Sequence, residues 1–210
     1  GGENVKRGLS VGMGLVLVGG VVTPALTPLA VDTAAAATRA AKPYDFNGDG
    51  YADLAVGVPG EDLGRTGDAG AVQVLYGSAS GVTTQDQIWH QGRKGVKGAP
   101  EKGDGFGKPL TSADFDADGF ADLAIGIPTE GIGGKARVGA VQILYGTRTG
   151  LRAAGDQIWH QGKSGVPGKN EAGDDFGRSL VSGDFDSDGF PDLAIGVPGE
   201  DVGSVSGAGV

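Results

Sequence analysis

Three stretches of this chain are copies of one another: DFNGDGYADLAVGVP at 45–59, DFDADGFADLAIGIP at 114–128 and DFDSDGFPDLAIGVP at 184–198. Their first aspartates, Asp45, Asp114 and Asp184, stand 69 and 70 residues apart. Other blocks recur in step with them: GAVQVLYG at 70–77 and GAVQILYG at 139–146, DQIWHQG at 86–92 and 156–162, GFGKPL at 105–110 and DFGRSL at 175–180. A chain of this kind folds as a series of like units, each too small to bury its own apolar face, that gain a core by stacking. The period differs by one residue because the second copy is longer between the Tyr of the GAV block and the Asp of DQIW. Insertions belong in loops, so that segment is expected to be a turn.

The repeated unit reads as β. Leu54, Val56 and Val58 alternate with Ala55 and Gly57, and Leu123, Ile125 and Ile127 alternate with Ala124 and Gly126. Bulky residues on one face with Ala or Gly on the other fit a strand buried on both sides, closely approached on the small side. VQVLY, QIWHQ and PLTSADF add further strands, giving about four per unit with glycine turns between and no helical period. Glycine, at 43 of 210 residues, suits that turn-rich scheme. The expected fold is all-β: a β-propeller of four-stranded antiparallel blades, incomplete, with about three repeats. The first unit spans 38–104, the second 105–174 and the third 175–210, breaking off inside its own GAV block, so the chain is expected to be a piece of a longer protein. A unit of this length exceeds the propeller period of roughly 40–50 residues, which implies long surface loops at 92–105 and 162–174.

Residues 1–37 differ from the rest. Lys6 and Arg7 precede an apolar run at 9–22, and small residues lead to Ala36 and Ala37, the order of a secretory signal peptide. The run, at about 14 residues, is short of the roughly 20 that cross a bilayer. The mature chain is therefore expected to be secreted, with no membrane span after cleavage. It has no cysteine, so no disulfide can hold its loops. With 26 acidic against 17 basic residues and a net charge of -9, nucleic acid is not expected as a partner, since phosphate contacts need clustered Lys and Arg.

In the acidic runs, oxygen side chains fall on alternate positions. The second run offers Asp114, Asp116, Asp118 and Asp122, with Gly119 at the turn and Phe120 as a carbonyl donor. The third offers Asp184, Asp186, Asp188 and Asp192, with Phe190 in the carbonyl position. The first offers Asp45, Asn47, Asp49 and Asp53, with Tyr51, and has one charge fewer. Alternating oxygens around a glycine open the calcium loop of EF-hands, yet the glutamate at the twelfth position is missing and a strand follows directly. Four carboxylates around one point repel unless a cation neutralises them, at a few kcal/mol per pair for an effective dielectric of about 20. Hard oxygen donors without Cys or His select Ca2+ over zinc or copper. Calcium is thus the expected cofactor, tying each hairpin where a disulfide would elsewhere.

The FG pairs Phe106–Gly107 and Phe176–Gly177, the D-x-D-x-D-G-x-x-D-L runs, the G-x-P ends and the GAV blocks together resemble FG-GAP repeats, which build the propeller at the head of integrin α chains and occur in bacterial secreted proteins. The resemblance covers about 43–210. It implies calcium at the three loops, lying on one face, and a ligand face opposite, formed by 60–70, 92–105, 129–139 and 162–174. The expected partner is an extracellular protein or glycan, and the basic residues Arg93, Lys94, Lys97 and Lys102 are the candidate contacts. The alternative is a non-catalytic accessory propeller of a secreted hydrolase. No nucleophile elbow, zinc motif or phosphate loop is present. His90, His160, Trp89 and Trp159 recur once per unit in QIWHQG, the mark of packing residues, so catalysis within these residues is not expected.

Overall fold

A computed structural model describes residues 41–210; the signal peptide expected at 1–37 lies outside the described residues. Nine strands occur among them, all antiparallel to their neighbours. The complete sheet belongs to the second unit and orders its strands as in sequence: β4 (Leu110–Ala113), β5 (Asp122–Ile127), β6 (Ala140–Tyr145) and β7 (Arg152–Trp159). The first unit supplies β1 (Leu54–Val58), β2 (Ala71–Leu75) and β3 (Asp86–Trp89), and the third supplies β8 (Ser179–Gly183) and β9 (Asp192–Gly196). Each acidic run forms the turn into the strand that carries the Leu-x-Ile/Val alternation.

The units stack head to tail. Val72, Val74, Tyr76 and Trp89 of the first unit share a core with Leu123, Ile125 and Ile127 of the second. Their counterparts Val141, Ile143, Tyr145 and Trp159 share another with Leu193, Ile195 and Val197 of the third. Phe106, wholly buried, reaches back into the first core, and Phe176 does the same in the second. The glycines beside these phenylalanines are there because backbones touch. A Cβ on Gly57 would stand 2.0 Å from Gly107 O, and one on Gly126 would stand 2.4 Å from Gly177 O. Gly70 and Gly139, at φ +87 and +84, form single bridges with Phe106 and Phe176. The repeated FG, G-x-P and GAV blocks are therefore the two sides of one junction. Along the inner strands, Thr111 Oγ1 and Ser182 Oγ lie 2.8 Å apart and Ser182 Oγ donates to Ser112 O.

Two expectations need correction. The strand at 54–58 is not buried on both sides: Leu54, Val56 and Val58 are 45%, 38% and 38% exposed, while Leu123, Ile125 and Ile127 are wholly buried. The difference is position, since the first unit covers the second and no described unit covers the first. The inserted residue between Tyr145 and Asp156 is not in a turn. It is taken up within β7, where the register to β6 shifts between Ile143 and Tyr145 and Gly155 adopts φ +85.

Phe106 is the joint between two units, so Phe106→Ala is expected to cost about 3–5 kcal/mol in denaturant unfolding. Phe185→Ala, at a side chain 58% exposed, is expected to cost under about 0.5 kcal/mol. Equal costs would show that the units do not depend on this joint.

Candidate metal centres and the loop face

Each hairpin loop is wound by its own carboxylates. In the second, Asp114 accepts hydrogen bonds from the amides of Asp118 and Gly119, both at 3.0 Å. Asp118 Oδ1 accepts from Phe120 N at 3.0 Å. Asp122 Oδ2 accepts from Phe115 N at 2.7 Å, and its Oδ1 accepts from Gly146 N at 2.9 Å, at the far end of β6. The third loop repeats the scheme with Asp184 on Asp188 and Gly189, Asp188 on Phe190, and Asp192 on Phe185. In the first, Asp45 accepts from Gly50 N, Asp49 from Tyr51 N, and Asp53 from Phe46 N and Gly77 N. The turn needs positive φ at Gly50, Gly119 and Gly189, and also at Ala117 and Ser187 (φ +57 and +64). Those two strained residues are held by the aspartates on either side.

Three carboxylates converge in each of two loops. Oxygens of Asp114, Asp116 and Asp122 lie within 4.8 Å of one another, and so do those of Asp184, Asp186 and Asp192. Two oxygens on opposite sides of one calcium ion, each at about 2.4 Å, are about 4.8 Å apart. Asp118 and Asp188 stay outside these triads, on the amide of the aromatic two residues on. In the first loop Asn47 takes the third position, and its Nδ2 donates to Asp49 Oδ2 at 3.0 Å. There, however, Asp45 is 5% exposed and its Oδ1 is buried with no hydrogen-bond partner. A buried acceptor left unpaired costs about 1–3 kcal/mol, which a cation would remove. The residues present fit a hard divalent ion.

Charge repulsion adds to the cost. Burial pushes the Asp122 carboxyl up to about 7, the charges of Asp116 and Asp114 add to the rise, and the Gly146 and Phe115 amides oppose it. Burial likewise raises Asp53 and Asp116, the latter also through Asp118.

The basic residues at 93–102 are not one free patch. Arg93 lies over the Trp89 ring at 4.0 Å and donates to Ile88 O. Lys97 reaches Asp156 of the next unit, with an ion pair at 3.3 Å and a 2.7 Å bond from its amide. Lys94 and Lys102 are exposed. His160 Nδ1 lies 3.1 Å from Asn170 Oδ1, and Trp89 is 2% exposed.

The sequence reading passed over a second acidic set at the other ends of the strands. Glu171, Asp174 and Glu200 bring oxygens within 4.8 Å of one another. Glu101, Asp104 and Glu130 stand in the equivalent places, and burial together with their mutual charges raises Asp104 to about 6 and Glu130 to about 7. The signal was legible as EKGD and EAGD before each FG and as the glutamate two residues after each G-x-P.

Stacked antiparallel sheets, repeated head to tail and each carrying an acidic hairpin, define a propeller-type repeat module. The FG-GAP repeat family model matches residues 39–75, 103–144 and 176–210, more than half of the chain. The chain belongs to the FG-GAP repeat family. It is 35% identical over 160 residues to integrin alpha-PS5 of Drosophila melanogaster, covering 75% of this chain and 14% of that protein. It is 34% identical over 164 residues to integrin alpha-5 of Xenopus laevis, covering 75% and 14%. With phosphatidylinositol-glycan-specific phospholipase D of Rattus norvegicus it shares 32% identity over 154 residues, covering 73% and 17%. The chain thus spans less than a fifth of the length of these relatives.

The raised Asp122 carboxyl sets a sign. Its contribution to stability in the ion-free fold is full below its ordinary 3.8 and is lost as pH rises through about 7. Side-chain carbon NMR of Asp122 in chelator is expected to titrate near 7, and a saturating divalent ion should move that midpoint below about 4. The same midpoint with and without ion would contradict the fit.

Proposed function

We propose that the chain is an exported, calcium-binding propeller module that recognises a protein or glycan through its loop face. The observation that carries the calcium reading is the buried Oδ1 of Asp45, which no protein group pairs, together with the two convergent triads that follow it in register. Positions 1, 3 and 9 of each loop supply the ligands: Asp45, Asn47 and Asp53, then Asp114, Asp116 and Asp122, then Asp184, Asp186 and Asp192. Asp49, Asp118 and Asp188 brace the turn and stand at the rim. The carbonyls of Tyr51, Phe120 and Phe190 complete the shell. Bound calcium neutralises the loop and holds the hairpin whose second strand forms the inter-unit core. Export into a calcium-rich medium agrees with a signal peptide at 1–37, and no helix among the described residues is long and apolar enough to cross a membrane.

Recognition belongs to the opposite ends of the strands, where 60–70, 92–105, 129–139 and 162–174 are gathered. Lys94 and Lys102 are the contacts there, and Arg93 and Lys97 shape the loop through Trp89 and Asp156. The module itself is non-catalytic. The second reading, an accessory propeller of a secreted hydrolase, draws on the likeness to a phospholipase D.

Calcium is expected to raise the thermal midpoint of the full chain, and Asp114→Ala and Asp184→Ala each to shrink that rise. A wild-type midpoint indifferent to calcium would end the metal reading. On an array of extracellular proteins and glycans, binding that weakens in Lys94→Ala/Lys102→Ala supports the loop face. A chain that binds nothing on the array is a spacer.

A further inference from the structure

The second acidic set sits where one unit hands over to the next. Glu171 and Asp174 lie in the segment joining β7 to β8, and Glu200 lies just after β9. Asp174 is 1% exposed, and the charged neighbours acting on it most strongly, Glu200, Glu171 and Asp201, are all acidic. Asp174 Oδ2 accepts from Glu171 N at 2.6 Å, and oxygens of Glu171, Asp174 and Glu200 converge.

Gln161 closes this set from the end of β7. Its Nε2 donates to Glu200 Oε2 at 2.6 Å, while its Oε1, in a residue 4% exposed, is buried with no hydrogen-bond partner. The nitrogen and oxygen of one amide are about 2.3 Å apart, so Oε1 lies within about 5 Å of that glutamate oxygen. This is the span of two ligands on one calcium ion. Gly168, at φ +90, makes room: a Cβ there would meet Gln161 Nε2 at 2.4 Å and Glu200 Oε1 at 3.1 Å. A cavity of about 440 Å³ lined by Trp159, Gln161 and Glu200 opens beside it and offers an entry path.

The junction between the first two units shares the glutamine–glutamate pair, although Glu101, Asp104 and Glu130 do not converge as the second set does. Gln91 Nε2 donates to Glu130 Oε2 at 2.6 Å, and Gln91 Oε1 is again buried and partnerless. Asp104 accepts from Glu101 N, and Gly98 stands against the Gln91 amide as Gly168 does against Gln161. The unmet amide oxygen beside the glutamate that follows each G-x-P recurs at both junctions, a built feature, and the three carboxylates converge at the second.

We propose that the junction between the second and third units binds a further divalent cation of the calcium class, held by Glu171, Asp174, Glu200 and Gln161 Oε1. This ion lies at the strand ends opposite the acidic hairpins. It bridges the last strand of one unit to the turn after the second strand of the next, so it clamps unit to unit where a hairpin ion stiffens a single loop. It also places charge on the loop face, within reach of an acidic group on a ligand.

The test uses the full chain and two probes, calcium counted by equilibrium dialysis and terbium luminescence excited through tryptophan. Trp159 lines the junction cavity, whereas the aromatic residues of the second and third hairpins are phenylalanines. Glu171→Gln/Glu200→Gln keeps shape and lowers repulsion, and Gln161→Met removes the amide oxygen alone. The first is expected to lose one bound calcium and the Trp159-sensitised emission, and the second to weaken both. Asp184→Ala/Asp186→Ala is expected to lose a different calcium and keep that emission. A junction variant that binds as many ions as wild type overturns the proposal. So does one that is merely more stable in chelator with its ion count unchanged, since the carboxyls then share a proton. If only the hairpin variant leaves the count unchanged, the hairpin reading falls and the junction site stands.

Discussion

The structure depends on backbones touching at each junction between units. Gly57 lies against Gly107 and Gly126 against Gly177 with no room for a Cβ, and the phenylalanine next to each FG glycine is driven into the preceding unit's core. Side chains alone would hold two twisted sheets about 10 Å apart. At these points glycine brings the chains close enough for main-chain hydrogen bonds to flank the apolar contact. A unit therefore has one face that receives a phenylalanine and one that supplies it. Among the described residues no unit supplies one to the first unit's outer face, and Leu54, Val56 and Val58 are exposed there.

The same hairpin that carries the buried strand carries the charge. Asp122 accepts amide hydrogen bonds from Phe115 in its own loop and Gly146 beyond β6, so one carboxylate ties the start of the loop to the far end of β6. The first loop reaches further. The carbonyls of Asp45 and Phe46 accept from Ala121 N and Thr147 N of the second unit, both at 3.1 Å. Loop order and unit stacking are thus coupled there. The equivalent of Ala121 in the third unit is Pro191, which has no amide hydrogen to give, so this junction leans on Thr111, Ser112 and Ser182 instead.

Much of this was legible in the chain. The alternation in LAIGIP gave a strand buried on both faces, because both its bulky and its small residues serve junctions. The aspartate spacing located three turns, since oxygen ligands and turn formation ask for the same residues. Other features were not visible. Which end of the stack lies open depends on neighbours rather than on composition, so Leu54 and Leu123 read alike. The inserted residue hid in β7 because a bulge with a positive-φ glycine resembles a turn in sequence. Arg93 and Lys97 looked like a free basic patch because nothing local announces Trp89 and Asp156 as their partners. The junction acids were passed over because the glutamate after each G-x-P lies far in the chain from the E-x-x-D pair and comes near it only when the chain folds.

The most direct measurement is a crystal structure of the full chain grown in millimolar calcium, refined to a resolution that separates ion from water. The account predicts density about 2.3–2.6 Å from Asp45 Oδ1 and from the carboxylates of Asp114, Asp116 and Asp122, with Asp184, Asp186 and Asp192 arranged alike. Carboxylates turned outward onto water, with no ion among them at that concentration, would contradict it.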